Sequence, residues 1–190
     1  MSKEFLILHL QNMNAPTKEN RNKLANIVLQ KPKLITNLLS ITFETNTDVS
    51  IKAAWVLEWI CTHYQINILV PYLDEFTSKL QLLKLDSAIR PCAKICEHLA
   101  KAYTSKEKNE IKNNLNHKQI IKIIETGFDW LLTPQKTAVK AYTMTTLYLF
   151  GFQIDWVHPE LKHIISTKIV KESKGCSARG KIILKLLSKI

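Results

Sequence analysis

Four basic residues recur along the chain in a pattern that could bind phosphate groups. They occupy the third positions of SIKA, AIRP, AVKA and SARG: Lys52, Arg90, Lys140 and Arg179. Lysines and arginines that line one surface can neutralise several phosphates. The same side chains could instead pair with acids, because Asp48 and Asp86 stand four residues before the first two of them. We favour the structural role and keep phosphate binding as the alternative.

Four tryptophans could extend such a surface, because nucleobases stack on indole rings. Trp55 and Trp59 are one helical turn apart, whereas Trp130 and Trp156 each follow an aspartate. Large aromatic side chains more often pack in a core or at a junction between helices. The candidate binding residues are therefore these tryptophans and the four cations, with core packing as the alternative for the tryptophans.

Cysteine and histidine spacings do not predict a metal site or a catalytic centre. Cys92 and Cys96 are one helical turn apart, but Glu97 and His98 are rotated away from them and no second ligand pair has zinc spacing. Buried free cysteines that act as small apolar residues explain the pair better. Glycine-rich phosphate loops, HExxH and GxSxG are absent. We predict no catalytic residue, no metal ligand and no cofactor.

Amphipathic helices must position these residues, since apolar residues recur at steps of three and four in the strongest segments. A hydrophobic content of 46% with only four glycines agrees with a helical globular protein. Turn residues separate ten predicted helices, at 3–13, 16–30, 32–43, 48–63, 66–83, 86–103, 117–132, 135–150, 158–170 and 175–189. Candidate turns include the segment 45–48.

The four basic residues also define a repeat. The intervals between them are 38, 50 and 39 residues, and a period near 40 with two helices per unit is typical of HEAT repeats. A polar insertion at 104–117 accounts for the longer interval. We predict an all-α, right-handed α-solenoid of about four to five HEAT-like helix pairs forming one domain over 1–190. Its first pair, 1–30, is the N-terminal cap, and 158–190 is a basic C-terminal pair.

The positive charge is concentrated late in the chain. The formal net charge of +11 divides into +3 for residues 1–95 and +8 for residues 96–190, and residues 161–190 hold eight basic side chains against the single acid Glu172. Such a segment could attract nucleic acid, an acidic protein or a membrane surface. The sequence has neither a secretory signal nor an apolar run long enough to span a membrane. We expect a cytoplasmic monomer.

Several segments carry a closer resemblance. KAAWVLEW, PYLDEF, DSAIRPCAKICEHL, FDWLL, KAYTMTTLYLFG and DWVHPELK resemble a family of small bacterial helical-repeat proteins often named adenylosuccinate lyase. The resemblance implies the helical-repeat fold. It does not imply lyase activity, because the signature loop of that superfamily, SSxMPxKxNP, is absent.

The function predicted from these patterns is non-enzymatic. A solenoid presents a concave surface that suits a macromolecular partner, most often a protein, so we expect a binding or scaffold protein. The alternative is a nucleic-acid-binding protein that uses the basic C-terminal third. The combination of tryptophans, aspartates and cations is similar to that of the HEAT-like DNA glycosylases, and the alternative therefore includes a relative of those enzymes.

Overall fold

The structure, a computed structural model, describes residues 2–44 and 47–190. Within those residues all regular elements are helices and none is a strand, which confirms the all-α class. Eleven α-helices lie in this part of the chain: α1 (Lys3–Gln11), α2 (Lys18–Leu29), α3 (Lys33–Thr42), α4 (Asp48–His63), α5 (Leu73–Lys79), α6 (Asp86–Thr104), α7 (Glu110–Asn114), α8 (His117–Leu132), α9 (Thr137–Phe150), α10 (Val157–Thr167) and α11 (Lys174–Leu187).

The chain divides into two compact units, Met1–Ile95 and Cys96–Ile190. The boundary between them falls within α6. The assignment of 1–190 to one HEAT-like domain stays a prediction.

Short polar side chains set the starts of several helices in the first unit. Ser2, Thr17 and Thr47 precede α1, α2 and α4, and each side-chain oxygen accepts a hydrogen bond from a backbone N–H of the first turn. These bonds satisfy donors that have no partner inside the helix. Of the predicted turn at 45–48, Thr45 and Asn46 lie outside the described residues.

The prediction of one continuous helix over 66–83 is wrong. The segment forms a 3-10 helix (Ile66–Tyr72), then α5, then a second 3-10 helix (Leu80–Leu82). Pro71 lies within the first of these and lacks the N–H that an α-helix would use there. Phe76 and Leu80 are nevertheless fully buried. The apolar spacing therefore identified a buried face but not its hydrogen-bond pattern.

The helices of the first unit pack in a regular order. α3 packs against α4, while α1 contacts α3 and α2 contacts α4. Leu6, Leu38 and Leu57 are fully buried in these contacts. The first helix of each pair thus lies against the next first helix, and the second helices α2 and α4 lie side by side. This arrangement brings residues about one repeat apart in sequence into contact.

The second unit begins its regular packing after the predicted insertion at 104–117. That segment contains α7, whose N-cap Asn109 accepts a hydrogen bond from the Lys112 backbone. Ile111 and Leu115 of this segment are buried, so the insertion packs through two apolar residues. Next, Asn116 and Gln119 form a capping box at the start of α8.

Helices α8 to α11 form the core of the second unit. α8 packs against α9, α9 against α11, and α8 against α10. A Cβ at Gly127 would lie 3.2 Å from Leu147 Cδ2 and 3.3 Å from Thr143 Cγ2. Glycine at this position therefore allows α8 and α9 to approach closely. As in the first unit, first helices contact first helices and second helices contact second helices.

Candidate functional site

Aromatic and charged side chains of α2, α4 and α6 meet in the first unit. We call this group the Trp55 cluster. It combines three cations, two indole rings and one carboxylate from α2, α4 and α6: Arg21, Trp55, Glu58, Trp59, Arg90 and Lys94. Members of the cluster on neighbouring helices lie 34 to 38 residues apart in sequence. They meet because helices about one repeat apart pack side by side.

Glu58 forms the charged centre of the cluster. Its side chain is 1% exposed, and its carboxylate lies 2.5 Å from Lys94 Nζ and 3.4 Å from an Arg21 guanidinium nitrogen. The Thr62 hydroxyl donates a third hydrogen bond, at 2.8 Å. A buried carboxylate is stable only when cations and hydrogen bonds replace the water that it loses. Glu58 therefore links α2, α4 and α6.

Guanidinium groups lie against the indole rings of the cluster. The Arg21 guanidinium carbon is 5.1 Å from the Trp55 ring centroid and 4.6 Å from that of Trp59. The Arg90 guanidinium carbon is also 5.1 Å from the Trp55 centroid. These distances are within the range of cation–π attraction. Trp55 thus lies close to two guanidinium groups from the helices on either side of α4.

A polar network continues the cluster along α2 and α4. The Trp59 indole N–H donates to Asn22 Oδ1 at 3.2 Å, and the Tyr64 hydroxyl lies 2.7 Å from the same oxygen. Tyr64 also donates to Asn26 Oδ1 at 2.8 Å. The His63 ring stacks on Trp59 with centroids 3.7 Å apart. These contacts hold the aromatic rings in fixed orientations.

Part of this face is open to solvent. Arg90 and Tyr64 are exposed and Trp55 is half-buried, whereas Trp59 is buried. The cluster contains three cations and one carboxylate, so its net charge is positive. An accessible indole with adjacent guanidinium groups can stack on planar groups and form paired hydrogen bonds with carboxylates or phosphates. The face therefore suits the binding of an anionic partner.

The four repeated cations differ in how far they are exposed. In the first unit, Lys52 is buried, and its ammonium group lies 2.8 Å from Asp48 and 3.4 Å from the Gln11 carbonyl oxygen. Arg90, by contrast, is exposed and belongs to the Trp55 cluster. In the second unit, Lys140 is buried against Glu172 and Arg179 is half-buried. The position in the repeat does not determine whether the cation is accessible.

Changing Lys140 should therefore alter stability. Lys140 is 4% exposed, and its ammonium group lies 2.6 Å from Glu172. Lys140→Ala removes a packed aliphatic stem and leaves Glu172 unpaired, so we expect the free energy of unfolding to fall by about 1–3 kcal/mol. Arg179→Ala, at a half-buried position, should change it by less than about 0.5 kcal/mol. Urea denaturation of both variants measures the difference, and equal losses would contradict the assignment.

The remaining two predicted tryptophans lie in the second unit. Trp130 is buried, whereas Trp156 is 48% exposed and precedes α10. The Trp156 ring stacks on Phe128 of α8, with centroids 5.4 Å apart. Both therefore belong to the side formed by the first helices, whereas Lys140 and Arg179 lie on the second helices. The structure does not bring these tryptophans together with those two cations.

The cysteines behave as apolar core residues. Cys61, Cys92, Cys96 and Cys176 are all buried and free. Burial is the main reason that the pKa values of the Cys61 and Cys92 thiols are raised, with the Glu58 carboxylate adding to the effect at Cys61. A raised pKa disfavours the thiolate, which is the nucleophilic form. Across 2–44 and 47–190, no three His, Cys, Asp or Glu residues are grouped to hold a metal ion.

The basic C-terminal segment, residues 161–190, exposes its lysines. All seven of its lysines are exposed, and Arg179 is half-buried: Lys162, Lys168, Lys171, Lys174, Lys181, Lys185 and Lys189. The single acid of the segment, Glu172, pairs with Lys140 on α9. The second unit therefore presents a dense set of lysine side chains to solvent.

Sequence reasoning missed three members of the Trp55 cluster. Arg21, Glu58 and Lys94 were not among the candidates, although they are 37 and 36 residues apart. The signal that could have identified them is an acid that has one basic residue a repeat before it and another a repeat after it. Glu58 also interrupts the apolar segment WVLEWI, where an acid needs buried partners.

Comparison with protein-family models, curated proteins and solved structures found no match to this chain. No helix of residues 2–44 and 47–190 is both long enough and apolar enough to cross a lipid bilayer.

Proposed function

We propose that this protein is a non-enzymatic binding protein that recognises an acidic segment of a partner protein through the Trp55 cluster. The observation that carries the proposal is the position of Trp55, half-buried and within 5.1 Å of the guanidinium groups of both Arg21 and Arg90. Tryptophan, tyrosine and arginine contribute most of the binding energy in many protein interfaces. The excess of cations over carboxylates in the cluster favours an acidic partner.

A HEAT-like, right-handed solenoid is the architecture that we propose for this function. Two observations support it: helix pairs stack in sequence order within each unit, and the residues in contact are about one repeat apart. In such a solenoid the second helices would line the concave, partner-binding surface. We further propose that the protein acts as a cytoplasmic monomer, and the four free cysteines are compatible with a reducing compartment.

Reversing the charge of Arg90 should strongly reduce partner capture. Arg90→Glu places a carboxylate beside Trp55 at an exposed position, so it should repel an acidic partner and leave the fold intact. Affinity capture from cell extract, quantified by mass spectrometry, should show a protein that is recovered at least about tenfold less with this variant than with the unchanged protein.

Lys84→Glu provides the matched control. Lys84 is exposed in the same unit, and its replacement changes the net charge by the same amount. This variant should recover the same partner as the unchanged protein. If both variants lose the partner equally, net charge rather than the Trp55 cluster governs capture. If neither variant loses any partner, the proposed function of this face is wrong.

The second candidate function is nucleic-acid binding. The specific observation in its favour is the exposed set of seven lysines in the basic C-terminal segment. A relative of the HEAT-like DNA glycosylases is one form of this candidate, and it would require base-excision activity. Incubation with duplex DNA that contains an alkylated purine tests that form, because excision releases the free base.

A further inference from the structure

The basic C-terminal segment contains too few acids to neutralise its own lysines. Eight cations accompany one carboxylate in residues 161–190. That carboxylate, Glu172, is already 2.6 Å from Lys140 Nζ, which belongs to a different helix. Repulsion among the exposed lysines therefore has no compensation from the acids of the segment itself. A bound polyanion would provide it.

Three of these lysines follow one face of the last helix. We call Lys181, Lys185 and Lys189 the Lys181 stripe. The first two lie on α11, and the Lys189 backbone N–H donates to the Leu186 carbonyl, which continues the turn beyond Leu187. Residues four apart are neighbours on a helix, separated by about 6 Å along its axis. Like charges at this spacing repel one another, and this repulsion opposes the attraction between Lys185 and the C-terminal end of the helix.

The chemistry around the stripe argues against a membrane surface as its partner. An interfacial helix inserts its apolar face among the lipids. The apolar face of α11 is already used inside the unit, because Cys176, Gly180 and Ile183 are buried. Two large apolar side chains close to the stripe are exposed, Ile182 on α11 and Ile190 after Lys189. These two side chains are eight residues apart and give little apolar area for insertion compared with the continuous apolar face of an interfacial helix.

The residue types in the segment favour a phosphate backbone over an acidic protein. Seven of the eight cations are lysines, which bind phosphates as point charges but are depleted in protein interfaces. Residues 161–190 contain no Phe, Trp or Tyr. Proteins that bind single strands use such rings as stacking platforms. A surface of lysines without aromatic rings instead suits a duplex, whose bases are already stacked and whose phosphates are closely spaced.

We propose that the Lys181 stripe binds the phosphate backbone of double-stranded nucleic acid without reading its base sequence. This proposal deepens the second candidate function and rests on it. It is independent of the Trp55 cluster, which lies in the other unit. Each lysine of the stripe contacts the backbone and releases bound counterions, so affinity depends on salt and not on sequence.

The test is fluorescence anisotropy of the full chain with labelled duplex DNA and duplex RNA over a series of salt concentrations. Two duplexes of unrelated sequence should bind with the same affinity, and the logarithm of the binding constant should fall linearly with the logarithm of salt concentration. The triple variant Lys181→Gln, Lys185→Gln, Lys189→Gln should bind at least about tenfold more weakly. Its salt slope should be smaller by up to about 2.7, or about 0.9 for each lost phosphate contact.

Lys18→Gln, Lys23→Gln and Lys33→Gln together form the matched control, because these three lysines are exposed in the first unit. The control should keep the full salt slope. If the unchanged chain binds neither nucleic acid at low salt, the second candidate function itself fails. If the chain binds but both triple variants lose affinity equally, the stripe is not the site.

Two further probes complete the test. Tighter binding to vesicles that contain phosphatidylserine, or to polyglutamate, than to either duplex would overturn the choice of partner. Tighter binding to single strands than to duplexes would overturn the argument from the missing aromatic rings. A duplex preference that the stripe variant abolishes supports the proposal.

Discussion

Replacing Glu58 with glutamine should lower the free energy of unfolding by about 3–5 kcal/mol, because removal of one member of a buried ion pair leaves the others uncompensated. Glu58 is 1% exposed and accepts from Lys94, Arg21 and Thr62. Glutamine keeps the size of the side chain but loses its charge. The two cations, whose side chains are 14% and 28% exposed, would then face a neutral amide.

The measurement is urea denaturation, followed by hydrogen exchange of the α4 amides so that the loss is assigned to the first unit. Glu75→Gln is the control, since Glu75 is partly exposed and pairs with Lys79 four residues later on the surface of α5. That pair should contribute less than about 0.5 kcal/mol. Equal effects of the two substitutions would show that Glu58 does not hold the second helices together.

A triple replacement separates the charge from the packing. Arg21→Met, Glu58→Leu and Lys94→Met together remove every charge of the buried network and leave none of them unpaired. Such replacements are often neutral or stabilising where the single change is damaging. We therefore expect the triple variant to unfold closer to the unchanged protein than Glu58→Gln does. The same variant should lose the acidic partner, because it removes two cations from the Trp55 cluster.

The helices of this chain were predictable where apolar spacing and capping residues agree. α4 begins at Asp48 and ends at His63, as its spacing predicted. The segment 66–83 was not predictable in the same way, because its apolar residues recur at steps of three and four, which is the spacing of one continuous α-helix. Pro71 lacks the backbone N–H that either kind of helix would use, and its ring would also clash with the carbonyl four residues earlier in an α-helix. The solenoid, the partners and the site residues stay predictions.

The Trp55 cluster was only partly accessible to sequence reasoning. Trp55 and Trp59 were candidates because nucleobases stack on indole rings, and Arg90 was one because it is among the four repeated basic residues. Glu58 was not, since a single acid in an apolar helix gives no indication of which cations reach it. Its partners come from helices one repeat earlier and one repeat later, so their identity depends on how the pairs stack. Lys52 and Lys140 are the opposite case. The sequence pattern made both of them candidate binding residues, but both are buried.

Phe150→Ala should destabilise the second unit by about 3–5 kcal/mol, the usual cost of removing a fully buried aromatic ring. Phe150 is 0% exposed at the end of α9, and its ring meets that of Tyr103 edge-to-face with centroids 5.9 Å apart. The substitution removes the ring and leaves a cavity that the surrounding helices can fill only in part. It also removes the aromatic pair with Tyr103, which adds to the loss.

Phe152→Ala is the natural comparison, because it makes the same chemical change two residues later. Phe152 is 52% exposed, although its ring also meets Tyr148 and His158 edge-to-face. Little buried area is lost there, so the free energy of unfolding should fall by less than about 1 kcal/mol. Hydrogen exchange of the α9 amides in both variants tests this ranking. A larger loss for Phe152→Ala would mean that the exposed aromatic cluster, rather than the buried ring, stabilises the end of α9.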